Sequence, residues 1–313
     1  MLEIISRIVP IILLLLLGKW LQLKSLILPK TVVDLKKIVV NIALPSLLFL
    51  SFFNMDLHSS YFWLVPVVFA ICVLLYLLGI GLNRVLKIKG TYFPFLITGF
   101  ENGMMGISLF GAAYGMAQLG KFALIDLGQE TFIWFVYVAL LIHKRDQKTN
   151  PGQLIKMFVT SPVIIGVVAG LTLNILGVPE RVESIPLAEG VLNTINMLGS
   201  ITIPLILIVV GYGIRLDKER LVYSVRVIII RLLVNIPLAL LVNRFFIRGV
   251  LGLGAGFEAA LFTMMILPPP FILTLYMPQE LEDEVHNVDN TLTLHSIASI
   301  IVFIIYYALN PVI

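Results

Sequence analysis

Gly99-Phe100-Glu101-Asn102-Gly103-Met104-Met105-Gly106-Ile107-Ser108 lies in the middle of a long apolar block. An acid, an amide and three glycines there rule out a continuous lipid-facing helix. A second block is cut by Leu267-Pro268-Pro269-Pro270-Phe271, where three prolines remove three backbone donors and clash with the preceding turn. Both blocks are expected to be helices that break part-way. Irregular backbone at membrane depth is tolerated only inside protein or beside water.

Outward from these stretches, the chain reads as an all-α polytopic membrane protein. Apolar residues make up 59% of 313 and charged residues 13%, too few to coat a soluble domain of this length. Mean hydropathy is +1.02. Bounding each apolar block by charges and turn residues gives ten spans, at 4–23, 37–53, 61–83, 92–118, 121–142, 154–176, 189–213, 220–243, 249–277 and 290–310. Each can cross a hydrocarbon core of about 30 Å. The compact run Ile8–Leu17 could suggest a signal peptide, but Glu3 dilutes the n-region and no cleavage site follows, so it reads as a retained first span.

With the N-terminus outside, fifteen of the twenty-two Lys and Arg residues fall in cytoplasmic loops, among them Lys36, Arg84, Lys89, Lys144, Lys148, Arg215, Lys218 and Arg220. That asymmetry predicts both termini extracellular in a cell-membrane protein. Pro278–Asp289 disagrees: it should be cytoplasmic, yet it holds five acids and no Lys or Arg. The basic balance, with a pI of about 9.1, is therefore a topology signal, and no nucleic-acid partner is expected. Cys72, the single cysteine, lies in an apolar block and forms no intrachain disulfide.

An internal repeat fits this layout. Leu44-Pro45-Ser46-Leu47-Leu48-Phe49 aligns with Ile203-Pro204-Leu205-Ile206-Leu207-Ile208 at an offset of 159, and Asp56-Leu57 with Arg215-Leu216 at the same offset. The predicted repeats, 1–147 and 148–313, hold five spans each and therefore have inverted topology, with spans 4 and 9 as equivalent interrupted helices. Matching interruptions point to a solute site, because half-helices turn orphan amides, carbonyls and dipole ends towards the bilayer centre. Gly103 and Gly106 let a ligand approach the backbone, while Pro268, Pro269 and Pro270 suit the start of a half-helix.

Ionisable residues inside the apolar blocks mark a pathway, a proton relay or an internal ion pair. Glu101 sits on the break itself and is the leading candidate for binding a proton or cation, with Asn102 beside it. Asp126 and Glu130 share a helix face near Lys121, where interfacial solvation explains Asp126 as readily as function does. Arg231 is too deep to snorkel and either neutralises a buried acid or grips an anion. Glu258 and His295 read equally as relay members or packing. Asn41, one turn before Pro45, either caps an opened helix or reaches the solute.

Other chemistries find no support. Gly115-Met-Ala-Gln-Leu-Gly120-Lys121 mimics a phosphate-binding loop until Phe122, where Ser or Thr is required. No metal or nucleophile motif appears, so no enzyme, metal or cofactor is expected beyond a coupling H+ or Na+. Gly99/Gly103, Gly111/Gly115, Gly166/Gly170 and Gly252/Gly256 have the spacing of close helix contacts. A secondary carrier leads. A passive channel or solute sensor is the alternative, though a channel would want a continuous polar stripe or charged ring.

Asn41-Ile-Ala-Leu-Pro45-Ser-Leu-Leu-Phe49, then Glu101-Asn-Gly-Met-Met-Gly106-Ile-Ser108 and Tyr114-Gly115, resembles the auxin efflux carrier family. The ten-span layout and the span 9 prolines extend that resemblance over essentially the whole chain, and the short loop between spans 5 and 6 is similar to bacterial members. The resemblance implies a bile acid:sodium symporter-like fold working as an elevator. Spans 1, 2, 6 and 7 would be the scaffold, and spans 3–5 and 8–10 the moving domain. It also implies organic-anion substrates such as malate, malonate and auxin-like acids, with the lipid bilayer and a homodimer as further partners. Two departures stand out: where the family usually reads Asn-Thr-Gly-x-x-Gly-x-Pro, Glu101 replaces the asparagine and Ser108 the proline. A negative charge there opposes anion binding unless it is protonated or paired with a cation.

Overall fold

The computed structural model describes residues 2–88, 90–146, 150–182, 186–214, 217, 219–278 and 280–312. The loop charges Lys89, Lys148, Arg215 and Lys218, and Leu216 of the repeat, lie outside the described residues. The described chain is helical, with no strand among the described residues.

After α1 (Leu2–Leu23), α2 (Pro29–Ile38) opens on a proline whose missing donor is harmless in a first turn. A π-helical turn, Val39–Ala43, then leads into α3 (Leu44–Phe53). α4 (Leu64–Leu86) ends at Lys87 in the left-handed conformation. α5 (Phe93–Ile97) stops at the first interruption, and a π-helical turn, Asn102–Gly106, starts the chain again into α6 (Ile107–Tyr114). Ser108 continues the helix there, its hydroxyl donating to Met104 O at 2.7 Å.

α7 (Leu119–Phe132) and α8 (Val138–Asp146) are joined by one more π-helical turn, Ile133–Tyr137. α9 (Pro151–Val159) and α10 (Pro162–Ile175) meet at a 59° bend, where Pro162 cannot continue the first ladder. α11 (Pro179–Val182), α12 (Pro186–Ser200), α13 (Thr202–Gly213) and α14 (Leu221–Val242) follow. α15 (Ala255–Ile266) and α16 (Ile272–Leu275) flank the triple proline, and α17 (Glu282–Leu309) ends the fold.

Among the described residues, seven helical stretches are long and apolar enough to cross a membrane, and α9 with α10 makes an eighth if taken across the bend. The other two expected spans, 92–118 and 249–277, are each divided into short helices by the interruptions, so neither is one helix of spanning length. The second stretch begins at Pro29 instead of 37, because Lys30, Lys36 and Lys37 lie on helix, not loop.

The chain forms two compact units. Unit 1 is Met1–His58, Gly103–Ala123 and Lys156–Gly213; unit 2 is Ser59–Asn102, Leu124–Ile155 and Ile214–Ile313. Unit 1 packs α3 on α10 and α1 on α13. A Cβ at Gly166 would lie 2.6 Å from Pro45 O, and one at Gly170 would meet Phe49 O, so only glycine lets these backbones touch. Asn174 Nδ2 ties the end of α3, donating to Phe53 O and Met55 O at 2.8 Å each.

Unit 2 gathers α4, α5, most of α7, α8 and α14–α17. One end is a polar network, and it explains the acidic segment that defied the loop-charge rule. Arg220 pairs with Asp283 at 2.9 Å, and Glu284 accepts from Thr91 N–H at 3.1 Å and Thr91 Oγ1 at 2.8 Å. Lys144 donates to Thr91 O at 2.7 Å. Two of the acids of 278–289, Asp283 and Glu284, therefore belong to one network with Arg220, Thr91 and Lys144.

Candidate functional site

Within unit 2 the two interruptions are stitched together. Gly99 has a φ of +68°, and a Cβ there would come 2.9 Å from Pro270 Cγ, so glycine is required both by conformation and by the proline of the other break. Glu101 N–H donates to Pro268 O at 2.9 Å. The triple proline offers no N–H, and the first donor after it, Phe271 N–H, goes to Glu101 Oε2 at 2.7 Å. Glu101 thus places a carboxylate where α16 begins, the end at which a helix favours negative charge.

Arg231, fully buried on α14, serves the opposite helix ends. Its guanidinium donates to Leu96 O at 2.7 Å, Thr98 O at 3.4 Å, Leu267 O at 3.1 Å and Gly99 O. Those carbonyls lie at and just past the C-termini of α5 and α15, orphaned by the breaks and partially negative. Its Cζ also lies 4.7 Å from the centre of the Phe100 ring. Sequence reasoning offered Arg231 a buried acid or a substrate anion as partner. Its bonds run to main-chain carbonyls instead, because two helix ends meet there with no donors of their own.

α7 supplies the other polar face. Asn102 Nδ2 donates to Asp126 Oδ1 at 2.7 Å, Gln129 Nε2 to Phe100 O at 2.7 Å, and Trp134 Nε1 to Glu130 Oε2 at 3.0 Å. Asp126, for which sequence left solvation and function equally open, is only 6% exposed, and Asn102 holds it inward against the first break. Asn102 Oδ1 and Gln129 Oε1 are buried acceptors with no hydrogen-bond partner.

The remaining candidates lie elsewhere. Glu258, in the first turn of α15, makes a two-pronged bond with Arg248, at 2.7 and 2.8 Å. It therefore sits at the end of α15 away from the triple proline. His295 is fully buried on α17. Asn41, Gly103 and Gly106 belong to unit 1. Asn41, within the π-helical turn, donates from Nδ2 to Lys37 O at 2.8 Å.

Gln129 and the carbonyl of Leu267 escaped sequence reasoning. An amide next to Glu130 in an apolar span was a usable signal for Gln129; a carbonyl carries none. Among the described residues, no group of three or more His, Cys, Asp or Glu is placed to hold a metal ion.

A family model of membrane transport proteins matches residues 3–307, nearly the whole chain. The chain belongs to the membrane transport protein family. This is the auxin efflux carrier group to which the residues of spans 2 and 4 pointed. Membership makes the chain a multi-pass membrane transporter, and the family is one of transporters, not enzymes. A search of curated proteins finds no match.

Proposed function

We propose that this chain is a secondary active carrier of small organic acids in the cell membrane, coupled to H+ or Na+, with both termini extracellular. The carrying observation is the joined pair of interruptions, in which Glu101 binds both Pro268 O and Phe271 N–H. Glu101 and, on the adjoining α7 face, Asp126 and Glu130 place carboxyls around the break, with the guanidinium of Arg231 spent on helix ends. An organic anion entering beside them is repelled unless a proton or cation enters too. That requirement is coupling.

Ten spans in two inverted repeats remain the preferred topology, the divided helices being spans 4 and 9. The packing of unit 1 supports it: span 2 on span 6 and span 7 on span 1 are equivalent pairs under a five-span repeat. An elevator mechanism would use unit 1 as scaffold and unit 2 as moving body. Its support is that spans 1, 2, 6 and 7 fall in unit 1 and span 4 divides between Asn102 and Gly103.

Purified protein in proteoliposomes tests the reading. Thermal-shift screening against dicarboxylates, amino acids and aromatic acids selects the solute. Preloaded vesicles should then show counterflow, and an imposed ion gradient should drive accumulation. Flux without counterflow would indicate a channel, and chemical conversion of the solute would indicate an enzyme.

A further inference from the structure

His295 on α17 is fully buried, and neither ring nitrogen has a hydrogen-bond partner. Two buried polar nitrogens left dry would cost about 1–3 kcal/mol each. Their surroundings show how that cost is avoided. Thr291, His295 and Ser299 are spaced four residues apart on one face of α17, so neighbours stand about 6 Å apart along the axis. That is too far for a direct bond and about the span of one bridging water.

Both ends of this row are already polar and connected. Thr291 Oγ1 lies 3.0 Å from Ser224 Oγ, to which Asn290 Nδ2 donates at 3.1 Å. Asn290 Oδ1 in turn accepts from Asp217 N–H at 2.9 Å, and the Asp217 side chain is 47% exposed. At the other end Ser299 Oγ donates to Ile266 O at 2.6 Å, one residue before the Leu267 carbonyl held by Arg231. Ser224 and Arg231 are two turns apart on α14, both fully buried. The row thus runs from an accessible loop to the second interruption, with His295 in its middle. The charged group acting on His295 is Arg231 from α14, and Asp217 stands at the loop end of the row.

We propose that His295 is the central member of a buried file of water and side chains that conducts protons between the Asp217 loop and the second interruption. The step balances on the ring alone. One nitrogen accepts a proton from a protonated water on its side, a new N–H bond forming as that O–H bond breaks and leaves water. The N–H bond on the other nitrogen breaks, and its proton passes to the water beyond. The ring is left neutral in the other tautomer, and rotation restores it. The file ends two residues before Pro268, whose carbonyl Glu101 holds. This proposal rests on the coupled-carrier reading and supplies its proton route.

The test replaces His295 with Leu, which fills the volume and carries no proton, and with Gln, which binds water but does not relay. Both variants should keep solute counterflow and lose accumulation driven by a proton gradient. In the parent protein, 15N NMR of labelled histidine should show a ring hydrogen-bonded at both nitrogens. Accumulation by His295→Leu equal to the parent overturns the proposal, and so does a ring bare of hydrogen bonds, which is decisive even if the variants fail to fold. If the parent itself shows no counterflow, the carrier reading fails, and the NMR measurement still decides whether the file is wet.

Discussion

Both units use glycine to bring backbones together, as a Cβ at Gly128 of unit 2 would lie 2.5 Å from Val65 O, but they differ in what else they bury. In unit 1 the helices approach until backbone meets backbone, with Gly166 and Gly170 against Pro45 and Phe49. Its buried polar side chains, among the described residues, are Ser108 and Thr202. All the other buried polar or charged residues belong to unit 2, from Thr98 and Asn102 through Arg231 to Ser299. Small residues make a surface that fits without being chemical. Buried polar groups are costly unless satisfied, so their concentration in one unit marks where the chain needs something other than packing. The contrast shows which unit concentrates the buried polar groups.

The largest effect should come from Arg231. Arg231→Ala strips the donor from carbonyls at two helix ends, and its loss should cost on the order of 3–5 kcal/mol. No single acid deletion should restore it, since the partners are main chain; rescue by Glu101→Gln would return Arg231 to the role of ion-pair partner. Arg231→Lys should recover only part, because an ammonium lacks the planar fork that reaches several carbonyls at once. Thermal unfolding in detergent reads all three variants.

Unit 1 should be broken by volume instead of charge. Gly170→Leu has no space against Phe49 O and should destabilise by about 1–3 kcal/mol or prevent assembly. Gly170→Asp failing no worse than Gly170→Leu would show that sterics alone govern this contact. A Leu variant as stable as the parent would remove the comparison altogether.

Glu101 sharpens the contrast within unit 2. Glu101→Ala leaves Phe271 N–H without its acceptor, at about 1–3 kcal/mol. Glu101→Gln keeps an acceptor oxygen and should fold near the parent, retain solute exchange and lose gradient-driven accumulation. Full accumulation by the Gln variant would transfer the coupling role to Asp126, which Asn102 holds at the same break.

The smallest effect belongs to Arg248, whose exposed side chain pairs with Glu258. Arg248→Ala should lower the melting temperature only slightly and leave exchange unchanged, because Arg248 is 63% exposed even though Glu258 is 15% exposed. A marked loss of exchange would bring Glu258 back as a site residue.

What the sequence disclosed follows from what residues themselves encode. Missing donors are written into Pro268, Pro269 and Pro270, and permission for a positive φ into Gly99, so both interruptions could be placed from sequence. Asp126 could not, because its proximity to Lys121 in the chain suggested a surface while its partner Asn102 lies 24 residues away. Arg231 was recognised as buried, but its carbonyl partners were not foreseen, since carbonyls are common to every residue and leave no pattern. Bounding spans by charge also trimmed the helix that begins at Pro29, because lysines on a helix look like lysines in a loop.

The reach of Arg231 has a consequence for biogenesis. A chain made from its N-terminus inserts Leu96, Thr98 and Gly99 long before residue 231 leaves the ribosome. Their carbonyls must wait more than 130 residues for their donor. During that interval the first half is an unfinished membrane segment that water, lipid headgroups or an insertase must shelter. Two halves that echo each other in sequence are therefore not two modules that mature in turn. The nascent chain completes its first interruption only when α14 arrives to close it.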